Sequence, residues 1–393
     1  MDYPIVFIPG LFGSMGDDVI KGTGDFSFGF AERIYRPFIQ ILNSMGYIEG
    51  LNIFISYYDW RKSVLESVDK YLLPTIEMAK NKTSMDKVII IGHSLGGLLG
   101  RAYITYFSPS SVDKLIMIGT PNLGAVNAYY FWSGGKLPYA KVEDNILYNG
   151  LKLGFILYYH LFHNINYIGA LRDMFPVAKD LLPSYRYGNY LYHKENGIKR
   201  EISIDNMSIN NEFLNRLNNE YIDKDKLFVI SGKGIYTNKE FVVGAGRKEK
   251  TKWEDGKPIK SIRTNQGDGT VTTNSTLGYL GGNQIILEGN HTSILCKSKD
   301  YLAEILGKTL NMEIKEETIE KVYFILADNC NDIMLGDNRV QAIKISSSKF
   351  LIMVADDKNL ECKLDIDKSP KFNPKTMMAT VDRDGINILK YKI

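Results

Sequence analysis

Three cysteines in 393 residues (Cys296, Cys330 and Cys362), with no CxxC spacing among them, support neither a disulfide framework nor a thiolate zinc site and leave room for one disulfide at most. Long apolar runs are missing as well. The most apolar stretch, residues 147–162, is interrupted by Asn149, Lys152 and His160 and is too short to span a bilayer. Charge of one sign is scarce. A net charge of +3 sets up no field that would draw nucleic acid or an anionic membrane surface. The basic clusters are interleaved with acids, as in Arg247-Lys248-Glu249-Lys250, which is the pattern of a solvated loop. No His/Asp cluster has ligand spacing, so neither a metal nor an organic cofactor is expected. Histidine is rare too, with five in the chain, and this narrows the choice of a base.

What is present is the composition of a globular protein, 44% hydrophobic and 24% charged. The length exceeds one ordinary core and suggests a large domain with insertions, or two domains. Residues 4–8 already read as a buried strand and leave no room for a leader. The expectation is a cytoplasmic protein, or a secreted one if a leader is removed ahead of this start.

Up to about residue 120, short apolar strands alternate with helices. Strands are expected at 5–8, 53–55, 88–91 and 115–118. Helical stripes run through Ile34, Phe38, Ile41, Leu42 and Met45, through Val64, Val68, Leu72, Ile76 and Ala79, and over 95–106. Apolar strands separated by helices imply a parallel sheet covered on both faces. Residues 125–225 are rich in Tyr, Phe and Leu at helical spacing with no clear strand, and read as a helical cap insertion. Strands resume at 227–230 and 284–287, and a last helix is expected over 301–310. From about Lys321, short strands at 322–325, 340–345, 350–354 and 386–391 suggest a small all-β appendage. The resulting division is a catalytic domain over 1–312 and a β-rich domain over 313–393.

The strongest chemical signal is Gly92-His93-Ser94-Leu95-Gly96-Gly97, between an expected strand and an expected helix. This is the setting of a nucleophile elbow, where small residues let strand and helix backbones meet and the serine hydroxyl stands clear of the sheet. A serine needs a base. His93 adjoins the nucleophile and points elsewhere, His160 and His163 lie in the aromatic insertion, and His193 lies in a polar loop. His291 follows the last strand of the sheet, in the chain order nucleophile, acid, histidine. The acid falls between them. Asp268 in Gly267-Asp268-Gly269-Thr270-Val271 sits on a glycine-flanked loop, and Asp255 and Glu240 lack such flanks. Two backbone N–H groups would complete an oxyanion hole. One is that of Leu95, after the nucleophile; the other comes from Pro9-Gly10-Leu11-Phe12-Gly13-Ser14, with Leu11 ahead of Phe12.

Together with Tyr58-Asp59-Trp60-Arg61 and Gly119-Thr120-Pro121-Asn122-Leu123-Gly124, these motifs resemble the lecithin:cholesterol acyltransferase-like branch of the α/β hydrolases. The resemblance covers about residues 1–310, and the Tyr-Asp-Trp-Arg tetrad is its most discriminating motif. It implies an α/β-hydrolase fold, triad roles for Ser94, Asp268 and His291, an oxyanion role for the Leu11 and Leu95 amides, and a structural Asp59–Arg61 pair under the active site.

The expected activity is therefore hydrolysis of a carboxylic ester of a lipid through an acyl-enzyme on Ser94. The expected partner is an acyl ester or lipid substrate, with peripheral contact with lipid aggregates left open. The aromatic insertion, with Tyr129-Tyr130-Phe131-Trp132 and Phe155-Ile156-Leu157-Tyr158-Tyr159, suits an acyl chain and equally suits plain packing of the cap. Two alternatives stand beside this reading: an acyltransferase using the same triad, and a non-catalytic lipid-binding module on the same fold.

Overall fold

Ile5-Val6-Phe7-Ile8 forms strand β1 (Ile5–Ile8), with all four side chains fully buried. The computed structural model describes residues 2–18, 23–135, 168–195, 198–244 and 253–310, and beyond them the backbone of the strands between 321 and 392. A hairpin of β2 (Met15–Asp18) and β3 (Thr23–Ser27) follows, then helix α1 (Glu32–Ser44). Next come β4 (Ile53–Ile55), β5 (Val88–His93), β6 (Val112–Ile118), β7 (Leu191–Glu195), β8 (Ile198–Ile202), β9 (Leu227–Lys233), β10 (Thr237–Gly244), β11 (Lys257–Thr264) and β12 (Asn283–Glu288).

Six of these strands form one parallel sheet in the order β12-β9-β6-β5-β1-β4. Parallel neighbours need crossovers, and helices supply them. Helix α1 lies on the path from β1 to β4. The path from β4 to β5 runs through α2 (Val64–Ser67), a π-helical turn (Val68–Leu72) and α3 (Leu73–Thr83). The sequence reads this path as one helix. The structure inserts the π turn just ahead of Pro74, which has no N–H and whose ring would strike the carbonyl four residues back in a regular helix. Helix α4 (Leu95–Tyr106) links β5 to β6 and is buried over most of its length. Because β4 and β5 lie on opposite sides of β1, the chain reverses its winding there. The carboxyl ends of β1 and β5 thus flank a topological switch point, where open α/β sheets hold their ligands.

The insertion is not purely helical. Helix α5 (Asn127–Gly134) follows β6, but β7 and β8 form a hairpin inside the span expected to lack strands. They belong to a second, four-stranded sheet in the order β11-β10-β7-β8, in which β7 and β10 run parallel. His193 therefore lies in a strand, opposite Val243 and Arg200, and not in a loop. A separate apolar cluster holds this sheet to α5, with Tyr129, Tyr190, Leu191, Phe241 and Val243 almost fully buried. The hairpin is hidden from periodicity because β8 is largely exposed and carries no apolar alternation. The apolar stretch at 147–162, His160 and His163, and the boundary near 313–320 lie outside the described residues.

Beyond residue 320, five strands pair antiparallel in the order Val340–Ser346, Lys349–Asp356, Lys321–Asp328, Lys375–Asp382, Gly385–Lys392. The fourth of these was not expected from the sequence. No helix among the described residues is long and apolar enough to cross a membrane.

The insertion is also tied to the sheet's helices by one carboxylate. The Val64 N–H at the start of α2 donates to Asp180 Oδ2 at 2.8 Å. Burial lifts the Asp180 carboxyl from its ordinary 3.8 to about 6, against the Val64 N–H and Lys179, which both favour its charged form. A folded carboxyl that is harder to ionise than the unfolded one contributes stability that is complete below about pH 4 and is lost as pH rises through about 6. Asn keeps an acceptor for Val64 without the charge. Asp180→Asn should therefore raise the unfolding free energy by about 1–2 kcal/mol at pH 7.5 and leave it near the parent value at pH 4. Urea melts at the two pH values check this, and an equal change at both would contradict it.

Candidate active site

Strand β5 ends at His93 and α4 begins at Leu95, so the whole strand-to-helix turn falls on Ser94. Its backbone sits at φ 54° and ψ −123°, a conformation that a side chain ordinarily avoids. The surrounding glycines make it possible. A Cβ on Gly92 would come within 2.5 Å of the Gly97 Cα, and one on Gly96 would run into the Ile8 and Pro9 carbonyl oxygens. On Gly97 it would strike the Thr120 hydroxyl. The turn is thereby pressed against the ends of β1 and β6. The Ser94 N–H donates to the Ile118 carbonyl at 2.8 Å, which fixes the turn to β6.

The Gly119-to-Gly124 loop then passes under the elbow, and Arg101 of α4 anchors it from behind. Arg101 donates to Asn122 Oδ1 (3.3 Å), Asn218 Oδ1 (2.9 Å) and the Leu217 carbonyl (3.1 Å). The guanidinium is buried against neutral oxygens, and burial works against its charge.

Asp268 and His291 come from the loops following β11 and β12. Asp268 Oδ2 lies 2.7 Å from His291 Nδ1, and both side chains are almost wholly buried. The other carboxylate oxygen accepts the Thr270 and Val271 N–H groups at 2.9 and 2.7 Å, so the acid is held by its own loop. A carboxylate that accepts the Nδ1 proton leaves Nε2 as the basic nitrogen. Asn290 Oδ1 accepts the Thr292 and Ser293 N–H groups, at 3.2 and 2.8 Å, and so shapes the turn that carries His291. Gly119, at φ 62°, brings the end of β6 against the same imidazole: a Cβ there would lie 3.2 Å from His291 Cε1. The His291 ring also sits 4.9 Å, centroid to centroid, from that of His93, the residue before Ser94. Asp268 and His291 are thus brought together, and the imidazole lies against Gly119 at the end of β6 and against the ring of His93, the residue before Ser94.

The loop after β1 closes a turn through the Gly13 N–H and the Gly10 carbonyl (2.9 Å), with Leu11 and Phe12 at its tip and Phe12 at φ 63°. A Cβ on Gly10 would lie 2.9 Å from the Ser94 Cβ, so this turn passes directly over the elbow. Leu95 is the first residue of α4, where a helix favours negative charge. The tetrad braces the same turn. The Tyr58 hydroxyl donates to the Pro9 carbonyl at 2.9 Å, and the Tyr58 N–H donates to Ser14 Oγ at 2.9 Å. Arg61 grips Asp59 with two charge-assisted bonds, Nε to Oδ1 at 2.7 Å and Nη2 to Oδ2 at 2.9 Å. Trp60 meets Phe12 edge-on at 4.7 Å and stacks on Phe175 of the insertion at 5.9 Å.

Of the other candidates, Glu240 pairs with Lys199 and Lys239 in the second sheet, and Asp255 accepts from the Ser208 N–H; neither meets His291 in these contacts. Sequence reasoning missed Tyr35, whose hydroxyl lies beside His93, because its place in α1 gave it only the look of a core residue. It missed Asp180 for want of any motif. Among the described residues no three His, Cys, Asp or Glu side chains gather as metal ligands.

A parallel sheet crossed by helices, with a serine elbow after a central strand, defines an α/β hydrolase. Within that class, residues 27–149 match the family model of lecithin:cholesterol acyltransferase, in line with the motif resemblance. A stretch of 98 residues is 34% identical to a phospholipase A(1), LCAT3, of Arabidopsis thaliana; it spans 23% of this chain and 21% of that protein's length. Among solved structures, the mature lipase BlEst2 of Bacillus licheniformis is 16% identical, with 78% of this chain and 92% of that chain covered and a TM-score of 0.38. The Tle4–Tli4 complex is 12% identical, with 78% and 97% covered and a TM-score of 0.48.

The clearance at the elbow has a measurable consequence. Gly96→Ala should cost about 1–3 kcal/mol of stability, because the new methyl meets backbone carbonyls that cannot swing aside. A denaturant midpoint unchanged from the parent would show that β1 does not press on the turn.

Proposed function

We propose that the chain is a serine ester hydrolase acting on lipid acyl esters, with Ser94 as nucleophile, His291 as base and Asp268 as the acid that orients it. The observation that carries this reading is the buried Asp268–His291 pair, 2.7 Å apart, with its imidazole 4.9 Å from the ring of His93, the residue before a serine held at φ 54°. Few other arrangements call for a strained serine, a turn of glycines and a buried carboxylate–imidazole pair in one fold. The family match and the phospholipase A(1) relative support a lipid substrate. The reading assigns catalysis to residues 1–312 and treats 313–393 as a separate β-rich domain.

In the mechanism, His291 Nε2 takes the Ser94 proton as Oγ attacks the ester carbonyl carbon. The carbonyl oxygen becomes an oxyanion and accepts hydrogen bonds from the Leu11 and Leu95 amides. Collapse breaks the bond to the alcohol oxygen, which leaves with the proton from His291. Water then enters, gives its proton to the same nitrogen and attacks the acyl-enzyme. The acid departs and Ser94 Oγ recovers its proton. An alcohol in place of water would give acyl transfer by the same steps.

A fluorophosphonate probe followed by peptide mass spectrometry should label Ser94, and p-nitrophenyl esters of increasing length should be turned over faster as the chain lengthens. Ser94→Ala should abolish both signals, and Asp268→Asn should lower turnover by about four orders of magnitude. Near-normal rates in either variant would overturn the assignment. Free acid as the only product in the presence of added alcohol would exclude the acyltransferase reading.

A further inference from the structure

His93 has no part in that mechanism, yet both of its ring nitrogens are engaged and it is almost wholly buried. Nδ1 lies 2.9 Å from the Tyr35 hydroxyl, and Nε2 lies 2.9 Å from the His291 carbonyl oxygen. The Tyr35 oxygen also accepts the Gly10 N–H at 2.8 Å. The direction of every link follows by elimination. A carbonyl only accepts, so His93 Nε2 carries the proton. In a neutral ring Nδ1 is then an acceptor, so Tyr35 donates to it. Burial raises the Tyr35 phenol far above its usual range, so this proton stays on the oxygen. Burial and the neighbouring His291 hold His93 down to about 3, so it stays neutral at working pH.

The result is one uninterrupted relay: Gly10 N–H to Tyr35, Tyr35 O–H to His93, His93 Nε2–H to the His291 carbonyl. It begins in the turn that holds Leu11 and ends on the backbone of the proposed base. The His291 N–H is meanwhile fixed to the Asp268 carbonyl at 2.8 Å, so the main chain of His291 is pinned on both sides. A ring that stayed neutral beside His291 would also leave room for the charge that His291 takes up when it removes the serine proton.

We propose that Tyr35 and His93 are positioning residues for the reaction, joining the oxyanion turn to His291 through a relay that passes behind Ser94. The proposal rests on the hydrolase reading above for its kinetic consequence, and on the hydrogen-bond geometry alone for the relay.

The test uses the full chain and three variants. Tyr35→Phe removes the central hydroxyl and should lower kcat about tenfold to a hundredfold with KM almost unchanged, the mark of misplaced groups and not of weakened binding. His93→Leu should do the same. His93→Gln should recover most of the loss, because an amide can accept from Tyr35 and donate to the His291 carbonyl. The second readout needs no substrate. Nitrogen-15 NMR should show His93 neutral and protonated at Nε2 from about pH 5 to 8, and the His291 ring signals should move in Tyr35→Phe. A kcat at the parent level in Tyr35→Phe, a Gln variant no better than Leu, or a His93 proton on Nδ1 would each overturn the proposal. Should the parent prove inactive on every ester, the hydrolase reading falls by itself, and the His93 tautomer still decides the relay.

Discussion

A serine at φ 54° resists its own backbone, and the elbow persists only because its surroundings leave it no easier conformation. Three glycines clear the space, β1 and β6 press in from either side, and the first turn of α4 stands directly behind. The strain costs on the order of 1–3 kcal/mol, which the buried parallel sheet readily offsets. The other groups of the site are placed relative to this turn. The Gly10 loop packs against Ser94, Thr120 meets the turn at Gly97, and the loop carrying His291 packs on Gly119.

Polar groups buried around the elbow make the arrangement rigid and not merely dense. Arg101, Asn122, Asn218 and Ser184 form a connected set that fastens α4 to the Gly119 loop and to the helix Glu212–Leu217. Within the tetrad, Arg61 is locked onto Asp59 while Tyr58 bonds the Pro9 turn. Such groups are costly to bury one at a time and valuable when every partner is present, because a small displacement breaks several bonds at once.

Much of this was legible in the sequence, for a physical reason. Fully buried parallel strands must be continuously apolar, so 5–8, 53–55 and 88–91 announced themselves, and a turn too tight for side chains must be written in glycine. Asp268 and His291 could be chosen because acids and histidines with the right flanks are few in this chain. What escaped depends on distant pairing. The β7–β8 hairpin carries Lys, Arg and Glu on an exposed edge and is a strand only because β10 lies beside β7. Tyr35 looks like any aromatic on an apolar helix face; its role follows from a hydroxyl position that periodicity does not encode.

That parallel β7–β10 pairing has a consequence for how the chain comes to be folded. Strand β10 follows β9, so the second sheet is assembled from two stretches of chain separated by a strand of the first sheet. The β7–β8 hairpin, emerging first during synthesis, has neither its parallel neighbour nor Phe241 and Val243 to cover Leu191 until β10 has been made, after β9. The insertion is thus not a self-contained cassette. Its sheet is closed late by non-local contacts, and a graft limited to residues 125–225 would carry an open edge into its new host.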